Sequence, residues 1–205
     1  KRMNLDYVDI FYSHRFDPNT PLHETMQALV DIVRSGKALY AGISNYPHEA
    51  AEYAYKYLAD HDVSCLLHPV KYNMLHRVPE TDNLLEQAKA SGSGLIGFSP
   101  LAQGVLTDRY LKGIPSGSRA SENRTLKKEV ITPEILNSLE KLDRMAAERG
   151  QTLAQMALAW ILSNSLVTSV IVGASSIGQL DSNLQSIRNT SFSAEEIEQI
   201  NALTI

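Results

Sequence analysis

A short apolar run that ends in polar side chains and leads directly into a helix recurs along the chain. Residues 39–43 form one such run, predicted as a short buried strand, and Ser44 and Asn45 follow it. Pro47 then marks a helix start, because proline suits the first positions of a helix. Parallel α/β proteins present their ligand-binding groups at the carboxyl ends of such strands. The pattern therefore predicts a parallel sheet with its functional side chains along one edge.

Strand-like and helix-like patterns alternate from one end of the chain to the other. Strands are predicted at residues 7–12, 39–43, 65–70, 95–98 and 167–172. Helices are predicted from Pro21, with Thr20 as its N-cap, and from about residues 47, 81, 132, 152, 176 and 192. Short apolar strands covered on both faces indicate a parallel sheet.

The length of the chain separates two α/β folds. A closed (β/α)8 TIM barrel usually needs ~250 residues, whereas this chain has 205. We therefore interpret it as the later part of such a barrel, supplying roughly five strands and their helices within a single domain over residues 1–205. An open, doubly wound sheet is the competing fold, but no Gly-x-Gly-x-x-Gly turn follows the first strand, which weakens its dinucleotide-binding version.

Composition argues against several classes of function. The chain is 43% hydrophobic, which is ordinary for a globular chain. Its formal net charge is -4, so nothing favours nucleic acid as a partner. No apolar run reaches the ~20 residues of a membrane span, and no secretory signal opens the chain. The single cysteine, Cys65, lies in an apolar run and is expected to be a buried structural thiol in a reducing, cytoplasmic compartment. No metal-ligand spacing and no serine-hydrolase elbow is present.

Three predicted strands end in residues that could carry chemistry. His14 follows the first strand, where a histidine can polarise a carbonyl or relay a proton; a hydrogen-bonded histidine without a role is equally compatible. Ser44 and Asn45 suit a carboxamide ligand, although both are also good helix caps. Phe98 could stack on a flat ring, but a phenylalanine in this position is more often core.

Two further segments favour an anion. The segment 101–132 has the length of a functional lid or a disordered loop. It carries Arg109, Arg119 and Arg124 among glycines, which suits a phosphate clamp, although loop arginines are ordinarily just solvated. Residues 173–176 precede a helix whose free N–H groups attract anions. Gln179 and Asn183 lie one turn apart on that helix and could reach one ligand.

These residues and their surroundings together resemble the aldo-keto reductases, in the branch that holds bacterial L-glyceraldehyde 3-phosphate reductase and the potassium-channel β-subunits. The resemblance covers essentially the whole chain. The matching motifs are residues 7–15 with 17–21, 35–37 with 42–46, 98–104, 113–115 with 118–120, and 173–175 with Gln179 and Asn183.

The resemblance implies a barrel that binds NADPH without a Rossmann domain. It places the catalytic histidine at His14, the carboxamide ligands at Ser44 and Asn45, and the ring that stacks on nicotinamide at Phe98. The remaining cofactor contacts that it implies are Ser99, Leu101, Gly104 and Leu106 beside the pyrophosphate, Arg109 and Arg119 near the phosphates, and Ser175, Gln179 and Asn183 at the adenosine 2′-phosphate end. The reaction would reduce an aldehyde or ketone by hydride transfer from nicotinamide C4.

Three departures from the family pattern bear on function. Pro69 stands where a glutamine usually touches the carboxamide. This departure also raises the question of whether the register of the strand shifts around Val70. Ser182 stands where a glutamate usually meets the adenine. The family's acid, a tyrosine paired with aspartate and lysine, lies on strands before the one that begins here, so we expect this chain alone to be inactive or nearly so.

Two alternatives to an active reductase stay open. One is a nucleotide-binding regulatory subunit without useful turnover; His14 argues against it, because the channel-associated members tend to carry asparagine there. The other is a half-barrel that self-associates into a homo-oligomer to cover its open sheet edges.

Overall fold

Five strands form one sheet in the order β1-β2-β3-β4-β5. A computed structural model describes residues 3–123 and 125–204. The strands are Val8–Ser13 (β1), Ala38–Ile43 (β2), Cys65–Lys71 (β3), Gly94–Phe98 (β4) and Ser169–Val170 (β5). The pairs β1/β2 and β2/β3 are parallel. The predicted parallel sheet with alternating strands and helices is therefore confirmed.

The helices largely begin where the capping signals predict. They are Leu22–Arg34 (α1), His48–Asp60 (α2), Val78–Thr81 (α3), Leu84–Ala90 (α4), Pro133–Glu148 (α5), Leu153–Ser163 (α6), Ile177–Leu184 (α7) and Ala194–Thr204 (α8). Thr132 and Thr152 cap α5 and α6 through their hydroxyls, as expected from sequence. The N-cap prediction for Thr20 is wrong, because its hydroxyl donates to Asp17 at 2.8 Å and Pro21 precedes the helix. None of the helices in residues 3–123 and 125–204 combines the length and apolar character that crossing a bilayer requires.

The chain divides into two compact units. The first comprises Lys1–Lys71, Val78–Ile96 and Leu166–Ser169, and the second comprises Tyr72–Arg77, Gly97–Ser165 and Val170–Ile205. That residues 1–205 form a single domain stays a prediction.

In the first unit, helices α1 and α2 bury one face each. Met26 and Val30 of α1 and Leu58 of α2 are fully buried, as their helical spacing predicts. The strand β2 is less buried than expected, since Leu39 and Tyr40 are 54% and 42% exposed. Its carboxyl half is buried, and this is the half that leads into Ser44 and Asn45.

Strand β3 contains one residue more than its partner. Ala41 of β2 lies opposite Cys65, but Gly42 lies opposite Leu67, so Leu66 is the extra residue of a β-bulge. This bulge lies before Val70 and concerns the pairing of β3 with β2, so a shift around Val70 relative to the family pattern stays a prediction.

In the second unit, α6 is the most buried helix. Seven of its eleven residues are buried, including Met156 and Ile161, as is usual for a helix with apolar residues on several sides. The segment 101–132 is not a loose loop: it forms three 3₁₀ turns at Ala102–Gly104, Asp108–Tyr110 and Lys128–Val130. Its fully buried Leu106 and Tyr110 anchor it to the unit.

Candidate functional site

The loop after β2 is held by hydrogen bonds to the ends of both neighbouring strands. The Ser44 amide donates to the Ser13 carbonyl at 2.9 Å, and the Asn45 amide donates to the Pro69 carbonyl at 3.0 Å. The Ser44 hydroxyl also donates to Pro69 and accepts from the Asn45 side-chain amide, both at 3.2 Å. The Asn45 Oδ1 accepts no hydrogen bond from the residues that the structure describes, so it is free to accept one from a ligand.

Asn45 adopts a backbone conformation that few side chains tolerate. Its φ is +56°, in the left-handed region that asparagine enters more readily than most residues. Asparagine is one of the few residues other than glycine that adopt this conformation readily. Pro69 has no side-chain amide, yet its carbonyl oxygen holds both Ser44 and Asn45, so this position contributes to the loop through its backbone.

His14 lies at the same edge of the first unit. Ser13 is paired with Ile43, so His14 and Ser44 are the residues that directly follow two paired strand ends. The His14 side chain is exposed and bonds to none of the described residues. The structure therefore brings together His14, Ser44 and Asn45, the three candidates that the first unit contains.

The second unit contains a cavity of about 690 Å³ that gathers most of the remaining candidates. Two arginines and the start of α7 give it groups that attract an anion. The predicted site residues that line it are Ser99, Leu101, Gly104, Arg109, Arg119, Ser175, Gln179 and Asn183. Thr107, Asp108 and Ala154 also line the cavity and were not predicted from the sequence.

The cavity wall at residues 99–104 is a tight and strained turn. Ser99, Ala102 and Gln103 have φ values of +53°, +47° and +61°, and such conformations persist only where the surroundings hold them. Asn73 helps to hold this turn. It is 1% exposed, and its side-chain amide donates to the Ser99 carbonyl at 2.9 Å. Sequence reasoning missed Asn73, because its role depends on Ser99, 26 residues away.

At the start of α7, one side chain is held in a single orientation. The Gln179 Oε1 accepts from the Ser175 amide at 2.7 Å and from the Ser175 hydroxyl at 3.0 Å. The Ser176 hydroxyl caps the helix by accepting from the Gln179 amide. Because Oε1 is occupied, the Gln179 Nε2 is the group left to meet a ligand, and it is a hydrogen-bond donor.

Farther along α7, a buried amide has no partner. Asn183 is 5% exposed, lines the cavity, and its Nδ2 lacks a hydrogen-bond partner among the described residues. A buried donor left unpaired is costly, which makes this amide a candidate contact for a ligand. The neighbouring Ser182 is engaged: Gln155 Nε2 donates to its carbonyl at 2.9 Å and to its hydroxyl at 3.3 Å.

Three of the predicted site residues belong neither to the cavity lining nor to the group formed by His14, Ser44 and Asn45. Phe98 is half-buried at the end of β4, its carbonyl accepts from the Tyr72 amide, and it does not line the cavity. Leu106 is fully buried in the second unit and does not line the cavity either. Arg124 lies outside the residues that the structure describes.

Comparison with known proteins gives consistent matches. The model of the Aldo/keto reductase family matches residues 1–205. L-glyceraldehyde 3-phosphate reductase of Escherichia coli K12 is 48% identical over 204 residues, covering 98% of this chain and 59% of that protein. A probable voltage-gated potassium channel subunit beta of Arabidopsis thaliana is 38% identical over 191 residues, covering 91% of this chain and 58% of that protein.

A solved structure matches as well. The crystal structure of a thermostable aldo-keto reductase, Tm1743, with the inhibitor epalrestat has a TM-score of 0.72 and 28% identity, covering 98% of this chain and 62% of that one. The chain thus spans about three fifths of the length of these relatives. The predicted fold, part of a (β/α)8 barrel, is confirmed by this match together with the parallel sheet.

Proposed function

The chain belongs to the aldo/keto reductase family, and we propose that the protein reduces an aldehyde or ketone to an alcohol with NADPH as the hydride donor. The observation that carries the proposal is the cavity of the second unit, where two arginines, a helix start and an unpaired buried amide line one space. The arginines and the helix start suit the phosphates of a nucleotide, and the buried amide suits its base.

The charged part of the cavity suits phosphate. Arg109 and Arg119 provide guanidinium groups, which bind phosphate oxygens in pairs of hydrogen bonds. The N–H groups at the start of α7 add a partial positive charge. We assign the Arg119 guanidinium and the neutral donor Gln179 Nε2 to the adenosine 2′-phosphate, and this is our reason for proposing NADPH over NADH.

The buried end of the cavity suits the adenine. Asn183 Nδ2 is a donor without a partner, and the ring nitrogens of adenine are acceptors. Binding would give this amide the hydrogen bond that it lacks within the described chain.

The carbonyl chemistry belongs to the first unit. When bound, the nicotinamide supplies a hydride to the carbonyl carbon. Ser44 and Asn45 hold the carboxamide, with Asn45 Oδ1 accepting from its NH₂ group. His14, exposed at the same edge, donates from its ring N–H to the carbonyl oxygen and so orients the substrate. The proton donor is the family's tyrosine, which the matched segment of this chain does not include.

Binding of the 2′-phosphate gives the sharpest test. Titration of the 205-residue chain with NADPH and NADH should show tighter binding of NADPH, and Arg119→Met should remove most of that preference. Arg188→Met, which removes an exposed arginine outside the cavity, is the matched control and should change neither affinity. Equal affinities for both cofactors would refute the choice of NADPH.

Turnover tests the rest of the proposal. A small phosphorylated aldehyde is the first substrate to try, given the name of the Escherichia coli relative, followed by methylglyoxal. We expect the 205-residue chain to show little or no oxidation of NADPH, and a protein that includes the family's tyrosine, aspartate and lysine to show it. Rapid turnover by the 205-residue chain would contradict our proposal that the tyrosine which donates the proton is not among its residues.

A regulatory role is the second candidate, because the chain is 38% identical to a probable potassium channel subunit beta. Tight NADPH binding without turnover in a protein that carries the complete set of catalytic residues would favour it.

We also propose a cytoplasmic location, because the buried free thiol of Cys65 suits a reducing compartment. We further propose that the protein forms a homo-oligomer, which light scattering would detect.

A further inference from the structure

A buried histidine outside the reaction itself lies directly behind the Ser44–Asn45 loop. His68 of β3 is fully buried. Its Nε2 lies 3.4 Å from the backbone nitrogen of Tyr46, and its Nδ1 lies 2.7 Å from the Tyr55 hydroxyl. Both ring nitrogens therefore have partners inside the first unit.

These partners decide which nitrogen carries the proton. A backbone amide can only donate, so Nε2 must accept from Tyr46 and cannot be protonated. Burial lowers the pKa of His68 to about 4, which keeps the ring neutral at neutral pH. The proton therefore lies on Nδ1, which donates to the Tyr55 oxygen.

Tyr46 links this histidine to both parts of the candidate catalytic edge. Its backbone directly follows Asn45, and its side chain is 2% exposed. Its hydroxyl is hydrogen-bonded to Ser13 Oγ at 2.7 Å, next to His14. The ring of Phe16 packs edge-on against it with centroids 5.6 Å apart.

The amides of three consecutive residues are thus held by three different groups. Ser44 donates to β1, Asn45 donates to the Pro69 carbonyl, and Tyr46 donates to the His68 ring. The third is the one that a side chain controls, so it is the one that a substitution can remove. Since Asn45 is in a left-handed conformation, a loop released at Tyr46 would relax away from the present geometry.

We propose that His68 is a positioning residue for the cofactor: by accepting the Tyr46 amide, it fixes the loop that presents Ser44 and Asn45 to the nicotinamide carboxamide. The inference rests on the proposed function, because that function assigns the carboxamide to this loop. It predicts a selective effect, in which loss of the His68 acceptor weakens contacts to the nicotinamide and leaves contacts to the adenosine end intact.

Two ligands separate this role from a general structural one. NADPH contains the carboxamide, whereas 2′,5′-ADP contains only the adenosine end. His68→Leu should weaken NADPH binding about tenfold, the equivalent of one hydrogen bond left unmade, and leave the affinity for 2′,5′-ADP within about twofold. His68→Gln keeps an acceptor near the Nε2 position and should restore most of the NADPH affinity.

A stability-matched variant provides the control. Leu58→Ala removes a fully buried side chain of α2 and should lower the melting temperature without changing either affinity. If His68→Leu weakens both ligands equally, or weakens neither, the inference is overturned while the proposed function stands. If Asn45→Ala leaves NADPH binding unchanged, the assignment of the carboxamide fails, and if the unaltered chain binds neither ligand, the proposed function itself fails.

A measurement on the unaltered chain covers the case in which His68→Leu does not fold. The ¹⁵N chemical shifts of the His68 ring should report an unprotonated Nε2 and a protonated Nδ1 at neutral pH. A proton on Nε2 would exclude the hydrogen bond from Tyr46 and overturn the inference.

Discussion

The ring of Tyr12 lies directly against Gly42 on the neighbouring strand. A Cβ atom at Gly42 would stand 2.6 Å from Tyr12 Cε1, 2.7 Å from Cδ1 and 3.1 Å from the Leu67 carbonyl oxygen. Only a residue without a side chain allows this contact. The close packing of β1 on β2 therefore depends on Gly42, two residues before Ser44.

The first prediction tests this contact. Gly42→Ala should lower the free energy of unfolding by about 1–3 kcal/mol, because the Tyr12 ring must shift in a packed environment. Urea denaturation measures the loss. Tyr12→Leu in the same chain should recover part of it, since the ring atoms that clash are gone.

Gly178→Ala is the matched control for this substitution. No heavy atom lies within 4 Å of the added Cβ, and the position lies inside α7. Alanine is the better helix former, so stability should rise by about 0.5–1 kcal/mol. A destabilised Gly178→Ala or an unaffected Gly42→Ala would contradict the packing argument.

The second prediction concerns pH and His68. The pKa of this histidine is about 4 in the folded chain and about 6.5 when unfolded. Between these values the unfolded state binds the extra proton, so stability falls as the pH is lowered from 6.5 to 4, by about 3 kcal/mol in total. Above pH 6.5 the contribution of His68 is constant.

Differences between variants isolate this contribution from that of the carboxylates. His68→Gln should lose stability less steeply than the unaltered chain between pH 6.5 and 4, as followed by urea midpoints. His23→Gln removes an exposed histidine and should leave the slope unchanged. Identical slopes in all three chains would show that His68 titrates normally.

The third prediction concerns the unpaired amide of Asn183. Asn183→Ala removes a buried donor that has no partner in the described chain, so the free energy of unfolding should change by less than about 1 kcal/mol. The dissociation constant for NADPH should rise about tenfold. Calorimetric titration and thermal denaturation measure the two effects.

Asn189, in the same unit, is the control, because its substitution should affect stability and not binding. The Asn189 side-chain amide donates to the Arg149 carbonyl at 3.4 Å and is absent from the cavity lining. Asn189→Ala should lower stability and leave NADPH binding unchanged. If Asn183→Ala destabilises the chain without affecting binding, the amide is structural and the adenine assignment is wrong.

The sequence predicts the strands and their polar ends well, because both follow from local rules. The caps Thr132 and Thr152, for example, depend on neighbours within four residues. The bulge at Leu66 and the contact between Gly42 and Tyr12 depend on how β1, β2 and β3 pack, and no local pattern encodes them. Asn73 and His68 escaped prediction for the same reason: their roles are set by partners 26 and 22 residues away.

The candidate site shows the same difference between features that local sequence predicts and features that depend on specific contacts. Residue type and position were enough to single out Arg109, Arg119 and α7 as candidates, and these residues do line one cavity. That Gln179 presents Nε2 was not, because the orientation of its amide depends on two hydrogen bonds from Ser175. Leu106 was a candidate because the resemblance implies a contact with the pyrophosphate there, yet its side chain is fully buried.

The last prediction concerns Ser182, where the resemblance expects a glutamate beside the adenine. The serine lines the cavity and receives Gln155 Nε2 on both its carbonyl and its hydroxyl. Ser182→Glu keeps the bond to the carbonyl and adds a carboxylate that can accept from the adenine amino group. NADPH should then bind about threefold to tenfold more tightly, whereas reduced nicotinamide mononucleotide, which lacks adenine, should bind unchanged.

Ser182→Ala separates the added carboxylate from the lost hydroxyl. It removes the 3.3 Å bond from Gln155 and should leave both affinities within about twofold, because the stronger bond to the backbone carbonyl persists. Weaker NADPH binding by Ser182→Glu would mean that its negative charge opposes the phosphates more than it helps the adenine.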